Sequence, residues 1–143
     1  MRFLMLMYPS EKAEQGAMPE ADAVGEMMKY NEQLAKAGVL LALDGLHPSA
    51  KGACISWDKA GKPVVTDGPF TETKEVLGGY WIIQVKSREE AVEWAKRVPS
   101  RDARKVELRQ IFEMTDFPAD VQKAADNPEV RATIERIEKS LRS

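Results

Sequence analysis

Two segments, Phe3 to Tyr8 and Tyr80 to Val85, are apolar on both sides of any strand they form. In the first, Leu4, Leu6 and Tyr8 face one way and Phe3, Met5 and Met7 the other; in the second, Trp81, Ile83 and Val85 stand opposite Tyr80 and Ile82. Side chains alternate between the faces of a strand, so both segments must be interior strands of a sheet covered on both sides. The remaining periodicity supplies only two helices next to them. One opens at Pro19 with Glu20 and Asp22, carries Val24, Met27, Met28, Leu34 and Ala35 as its apolar stripe, and stops at Gly38. Asn31 falls on that stripe, either as a bonded core amide or as a group looking into a cleft. The other starts from the capping box Ser87-Arg88-Glu89-Glu90, buries Ala91, Trp94, Ala95 and Val98, and ends at Pro99.

Strands at Val39–Leu46 and Arg104–Phe112 complete the set, and Ala53–Trp57 and Pro63–Thr66 flank the turn-forming Asp58-Lys59-Ala60-Gly61 as a hairpin. The order is strand, helix, strand, hairpin, strand, helix, strand. This is an α+β chain of ferredoxin-like βαββαβ type with an inserted β-hairpin. Two helices cover one face of a four-stranded sheet. The other face then needs a partner sheet, which predicts a homodimer.

The chain has 143 residues, enough for one domain with a core, and its 21 basic and 23 acidic side chains leave a formal net charge of −2. So balanced a surface gives no field for a phosphate backbone or an anionic bilayer, and neither nucleic acid nor membrane is an expected partner. Cys54 is the one cysteine, which excludes an intramolecular disulfide and fits a reducing, cytoplasmic location. The apolar opening Phe3 to Tyr8 is too short to span a bilayer and runs into a polar stretch without a small-residue cleavage site. No phosphate-binding glycine loop, paired-cysteine zinc pattern or Ser-His-Asp arrangement is present, so no metal and no cofactor is expected. Cys54 reads as inert strand filling.

Residues 67 to 80, Asp-Gly-Pro-Phe-Thr-Glu-Thr-Lys-Glu-Val-Leu-Gly-Gly-Tyr, crowd turn formers, charges and aromatics together. Asp67 can bond its own downstream backbone, Gly68 permits close approach and Pro69 fixes φ, so the chain turns sharply there. With Asn31 to Leu40, Gly45-Leu46-His47-Pro48, Val65 to Phe70, Glu72 to Glu75, Gly78-Gly79-Tyr80 and Val106-Glu107-Leu108-Arg109, the string resembles the DGPF-type proteins of the YCII-related superfamily, from Met1 to about Phe112. The resemblance implies a ferredoxin-like chain pairing into a dimeric α+β barrel with a cleft for a small molecule, and no settled activity. It sets a domain of residues 1–116 and an extension of 117–143. In the extension Val130, Ile134, Ile137 and Leu141 are spaced as one face of an amphipathic helix that packs on the domain, across the dimer, or on another protein.

Candidate site residues follow. His47 ends the second strand, and the Asp67 turn leads into a strand expected to pair with it, so Asp67 can orient His47 as a general base or acid. Glu107 and Arg109 share the side of the last strand opposite Val106 and Leu108, facing either solvent or the space between paired sheets. In the second case Arg109 clamps a substrate carboxylate while Glu107 offsets its charge. Glu72 and Lys74 are further binding candidates, with Phe70 and Tyr80 as walls; the alternative for each is a solvated or core role.

Two departures matter. Smaller YCII-like proteins resemble one another in a His and Asp dyad with the histidine on the first helix, whereas Asn31 stands at the comparable place here and no Asp-Pro pair is evident around Pro99 to Asp102. Gln110 also replaces the proline usual after Glu-x-Arg in DGPF proteins. Three functions are implied: a homodimer binding a small polar metabolite, with cofactor-free lyase or isomerase chemistry as its enzymatic version; a regulatory protein associated with an extracytoplasmic-function sigma factor; and a catalytically silent structural dimer.

Overall fold

A computed structural model of the chain describes residues 1–101 and 103–142 and divides into two compact units, Met1–Gln110 and Ile111–Ser143. The first unit contains β1 (Arg2–Pro9), α1 (Glu11–Glu14), α2 (Ala21–Lys36), β2 (Leu40–Gly45), β3 (Ala53–Trp57), β4 (Pro63–Asp67), β5 (Gly79–Gln84), α3 (Arg88–Lys96) and β6 (Ala103–Gln110). An antiparallel sheet of order β2-β5-β1-β6 places both doubly apolar strands, β1 and β5, inside, and β3 and β4 form a separate two-stranded hairpin. The ferredoxin-like α+β pattern with its inserted hairpin is therefore the observed architecture.

The core lies on one face of the sheet. Phe3, Met5, Trp81 and Ile83 meet Tyr30 and Leu34 of α2 and Ala91 of α3, with Met7, Trp94, Val106 and Leu108 packed around them. Ser87 caps α3 by accepting from the Glu90 N–H at 3.1 Å, while the Glu90 carboxylate accepts from the Lys86 N–H at 2.9 Å. Gly38, at φ 71°, ends the turn after α2.

The expected phase of α2 needs correction. Its buried residues are Ala23, Tyr30, Asn31 and Leu34, while Val24, Met28 and Ala35 are exposed and Pro19 precedes the helix. The rotation is set by Tyr30, whose ring stands edge-on to Trp81 at 5.7 Å and whose hydroxyl donates to the Trp94 carbonyl at 2.9 Å. Asn31 is a bonded core amide, accepting from Trp81 Nε1 at 2.8 Å. Cys54 is exposed rather than filling, because neither face of the hairpin is covered. Phe112 lies past the end of β6 and is also exposed.

In the second unit the tail forms two helices, α4 (Ala119–Ala124) and α5 (Pro128–Arg142), instead of one. Asn127 separates them; its side chain accepts from the N–H groups of Glu129 and Val130, both at 3.1 Å, and so starts α5. Phe112 and Phe117 stack within this unit at 4.8 Å.

Burial raises the ionisation of Tyr30 well above the ordinary tyrosine range. A group whose folded value is raised contributes stability that is complete below the unfolded value, about 10, and is lost as pH rises from there through the folded value. Urea unfolding should therefore show stability falling above about pH 10. Tyr30→Phe should flatten that fall while lowering the neutral-pH baseline by about 1 kcal/mol, through the unpaired Trp94 carbonyl. An alkaline slope identical to that of the wild type would refute the assignment to Tyr30.

Candidate active site on the open face of the sheet

The face opposite the core carries Leu4, Leu6 and Tyr8 from β1, Tyr80 and Ile82 from β5, Ala42 and Asp44 from β2, and Lys105, Glu107 and Arg109 from β6. Register fixes this assembly. Leu6 lies between Tyr80 and Glu107, with Asp44 beyond Tyr80; Leu4 lies between Ile82 and Arg109, with Ala42 beyond Ile82. Glu107 and Arg109 thus share the side expected for them, and Tyr80 joins them. Leu4, Leu6, Tyr8, Tyr80 and Ile82 are only half-buried, in contrast to the closed core face.

Two tyrosine–carboxylate pairs flank Leu6. The Tyr80 hydroxyl donates to Asp44 Oδ2 at 2.8 Å, and the Tyr8 hydroxyl lies 3.5 Å from Glu107 Oε2. Lys105 Nζ sits 4.3 Å from the centroid of the Tyr8 ring. Desolvation raises the Tyr8 ionisation first, Glu107 raises it by charge and hydrogen bond, Glu75 adds to this, and Arg109 opposes it. Tyr80 is raised chiefly by its hydrogen bond to Asp44. Both phenols are therefore held as neutral donors, and Glu75 of the 67–80 segment belongs to the electrostatic neighbourhood of Tyr8. Arg109 makes no hydrogen bond or ion pair among the described residues.

The 67–80 segment is anchored at one end of this sheet. Gly78 N–H donates to the Met7 carbonyl at 2.8 Å and its own carbonyl accepts from Leu46 N–H at 2.8 Å, so the backbone next to His47 reaches the Tyr8 end of β1. Gly68 N–H donates to the Gly52 carbonyl at 3.0 Å, and the Gly68–Pro69 bond is cis. Phe70 N–H donates to Ser49 Oγ at 3.0 Å. Ser49 is buried and in turn gives both its Oγ–H and its N–H, the latter at 3.0 Å, to the buried Glu14 carboxylate. A lattice from α1 through Ser49 to Phe70 thus seats the turn.

The structure brings the His47 and Asp67 segments together through Ser49 and Gly68, but no hydrogen bond joins their side chains, and both residues are exposed. Glu72 and Lys74 are exposed as well, without an ion pair between them among the described residues; Phe70 is half-buried. Of the expected Pro99–Asp102 region, Asp102 lies outside the described residues. Sequence reasoning missed Glu14, Ser49 and Asp44 as site-building residues and used Tyr8 only as strand filling. A polar residue amid a polar stretch, as Glu14 is, carries no local signal of burial.

A separate hollow of about 400 Å³ runs between α3 and β6, floored by Val92, Ala95, Val98, Val106 and Leu108. Of the cations that line it, Lys96 pairs with Glu93 at 2.7 Å and Arg104 with Glu11 at 3.3 Å, while Lys105 lies over the Tyr8 ring. With its cations so engaged, it is the weaker candidate. Among the described residues no three His, Cys, Asp or Glu side chains are grouped to hold a metal ion, and no helix is long and apolar enough to cross a membrane.

The model of the YCII-related domain matches residues 1–115. An uncharacterized protein of Rhizobium meliloti (strain 1021) is 27% identical over 125 residues, which is 83% of this chain and all of that protein. Among solved structures, the 5-chloro-2-hydroxyhydroquinone dehydrochlorinase TftG from Burkholderia phenoliruptrix AC1100, in complex with 2,5-dihydroxybenzoquinone, is similar over 82% of this chain and 100% of its own, at 14% identity and a TM-score of 0.45.

Proposed function

The chain belongs to the YCII-related domain family, and from that premise we propose that it is a homodimer whose copies pair through their open sheet faces and enclose a small anionic metabolite. The observation that carries this reading is the Arg109 guanidinium, without a hydrogen bond or ion pair among the described residues, beside an apolar floor of Leu4, Leu6 and Ile82 and flanked by the Tyr8–Glu107 and Tyr80–Asp44 pairs. Ligand sites combine a mostly apolar lining with a few placed polar groups, and a planar guanidinium suits a carboxylate. Glu107 can accept a proton, and each phenol, by turning its single O–H away from its carboxylate partner, can donate to an oxygen that gains charge; this is the equipment of cofactor-free proton transfer.

In the enzymatic version, a lyase or isomerase, His47 acts as acid or base, Asp67 orients it or serves as base, and Phe70 and Tyr80 are the walls. Glu72 and Lys74 border the same segment. Asp67→Asn should then abolish turnover with the dimer intact, and undiminished turnover would remove Asp67 from catalysis.

The test of the binding reading is titration of the full chain with a panel of small carboxylates and lactones, followed by crystallography of any complex. A carboxylate that binds should lose affinity by about 10- to 100-fold in Arg109→Met, the worth of a charge-assisted hydrogen bond. Equal affinity in that variant would refute the clamp. Failure of every compound, with a filled and dry interface, would favour a structural dimer.

A second reading has its own observation: α5 leaves Val130, Ile134, Ile137 and Leu141 about half exposed along one face. An amphipathic helix of this kind docks into a partner's groove, here a regulatory partner such as a sigma factor. Partner recovery that survives truncation of residues 119–143 would exclude the helix from that contact.

A further inference from the structure

We infer that α5 pairs with α5 of a second copy as a short antiparallel coiled coil. The inference does not depend on the paired sheets, and it gives the helix a different occupant from the regulatory partner named above. Val130, Ile134, Ile137 and Leu141 follow one another at alternating steps of four and three residues and stand about half exposed. Those steps are the heptad repeat, and at about 100° per residue the four side chains fall within a stripe about 60° wide. A helix lying on a broad apolar surface carries a stripe of about 100° or more, so the narrower seam fits a single partner helix. The helix is also preformed, since Asn127 caps it, and pairing therefore costs little ordering.

The residues that border the seam select the partner. Arg131 and Glu138 lie on one flank, Thr133 and Ser140 on the other. Let two copies run antiparallel about a two-fold axis that crosses between Ile134 and Ile137. Val130 then meets Leu141 of the second copy, and Ile134 meets its Ile137, in both directions. The charged flanks face each other, so Arg131 of each copy stands beside Glu138 of the other. One chain thus carries both halves of the charge match, as a two-fold contact requires. Arg131 already holds Asp126 of its own chain, with both side chains exposed. Such an exposed pair is worth little, and the five donors of the guanidinium leave room for a second carboxylate. The other flank brings no competing charge, and Ser140 Oγ–H turns back to the Ile137 carbonyl at 2.8 Å.

A parallel pair fits less well. It would set Val130 on Val130 and Ile137 on Ile137, at the seam positions where two-stranded parallel coils prefer leucine, and it would leave Glu138 beside the uncharged Thr133. Antiparallel layers instead mix the two kinds of seam position and give both Glu138 carboxylates a cation.

Disulfide trapping in the full chain, in a Cys54→Ser background, tests the pairing. Val130→Cys chains mixed with Leu141→Cys chains should give a mixed covalent dimer on mild oxidation. Either variant alone should remain uncrosslinked, because the antiparallel register holds each residue about 16 Å along the axis from its own counterpart, at 1.5 Å per residue. Charge gives a second readout. Glu138→Arg placed in both chains should slow the mixed cross-link about 10-fold, the scale of two exposed ion pairs turned repulsive. Glu138→Arg in one chain with Arg131→Glu in the other should restore it. Self-disulfides from each variant alone, with no preference for the mixture, would overturn the antiparallel pairing. No disulfide in any mixture would overturn the pairing of α5 altogether, and the helix would then fall to the regulatory partner. Either failure leaves the paired-sheet dimer to its own test.

Discussion

Gly68→Ala should unseat the turn that begins the 67–80 segment and lower stability by about 3 kcal/mol, an overpacking penalty at the upper end of the usual range. A β-carbon at Gly68 would sit 1.7 Å from the Ser49 carbonyl oxygen and 2.5 Å from its carbon. Backbone, unlike the end of a flexible side chain, has nowhere to swing, and Ser49 is pinned from beneath by Glu14. The change should appear as a fall in melting temperature on the order of 10 °C for a chain of this size. Hydrogen exchange should also quicken at the Phe70 amide, whose acceptor is Ser49 Oγ. A melting temperature within a degree or so of the wild type would show that the contact relaxes at little cost, against the expected penalty.

Glu14→Ala attacks the same lattice from the other side. Loss of its carboxylate strips the acceptor from both Ser49 N–H and Ser49 Oγ–H inside a buried site, and each abandoned donor costs about 1–3 kcal/mol. A total near 3 kcal/mol is expected, with Glu14→Gln, which keeps a carbonyl acceptor, losing about 1 kcal/mol. Because Glu14 and Gly68 act on one residue, their penalties should fall short of additivity in the double variant. Denaturant unfolding of the four proteins measures this directly. Strict additivity would mean that the two contacts act independently of Ser49.

Much of the fold was legible because it is written in local pattern. The double apolarity of Phe3–Tyr8 and Tyr80–Val85 placed them inside a sheet, the capping box at Ser87 opened α3, and the Asp58 cluster marked the hairpin turn. Pattern failed where a single partner overrides it. The apolar stripe of α2 reads equally well through Val24 and Met28 as through Ala23 and Met27; the edge-on contact of Tyr30 with Trp81 selects the second. Trp57 and Cys54 have the composition of buried strand residues, yet their hairpin finds no cover in its own chain. Of the candidate site, Glu107, Arg109 and Tyr80 were reachable from strand alternation alone, since that rule also decides which side chains share a face.

The amino-acid sequence by itself thus determined the order of elements, the interior place of β1 and β5, and the side on which Glu107 and Arg109 stand, for these depend on residues within one strand or helix turn. Only the tertiary structure decided that Glu14 is buried against Ser49, 35 positions away, and that Tyr8 meets Glu107, 99 positions away. Such pairs obey no local period. They form because the paired strands and the turn beside them bring distant polar groups into one place, where each must find a partner or lose its solvation for nothing.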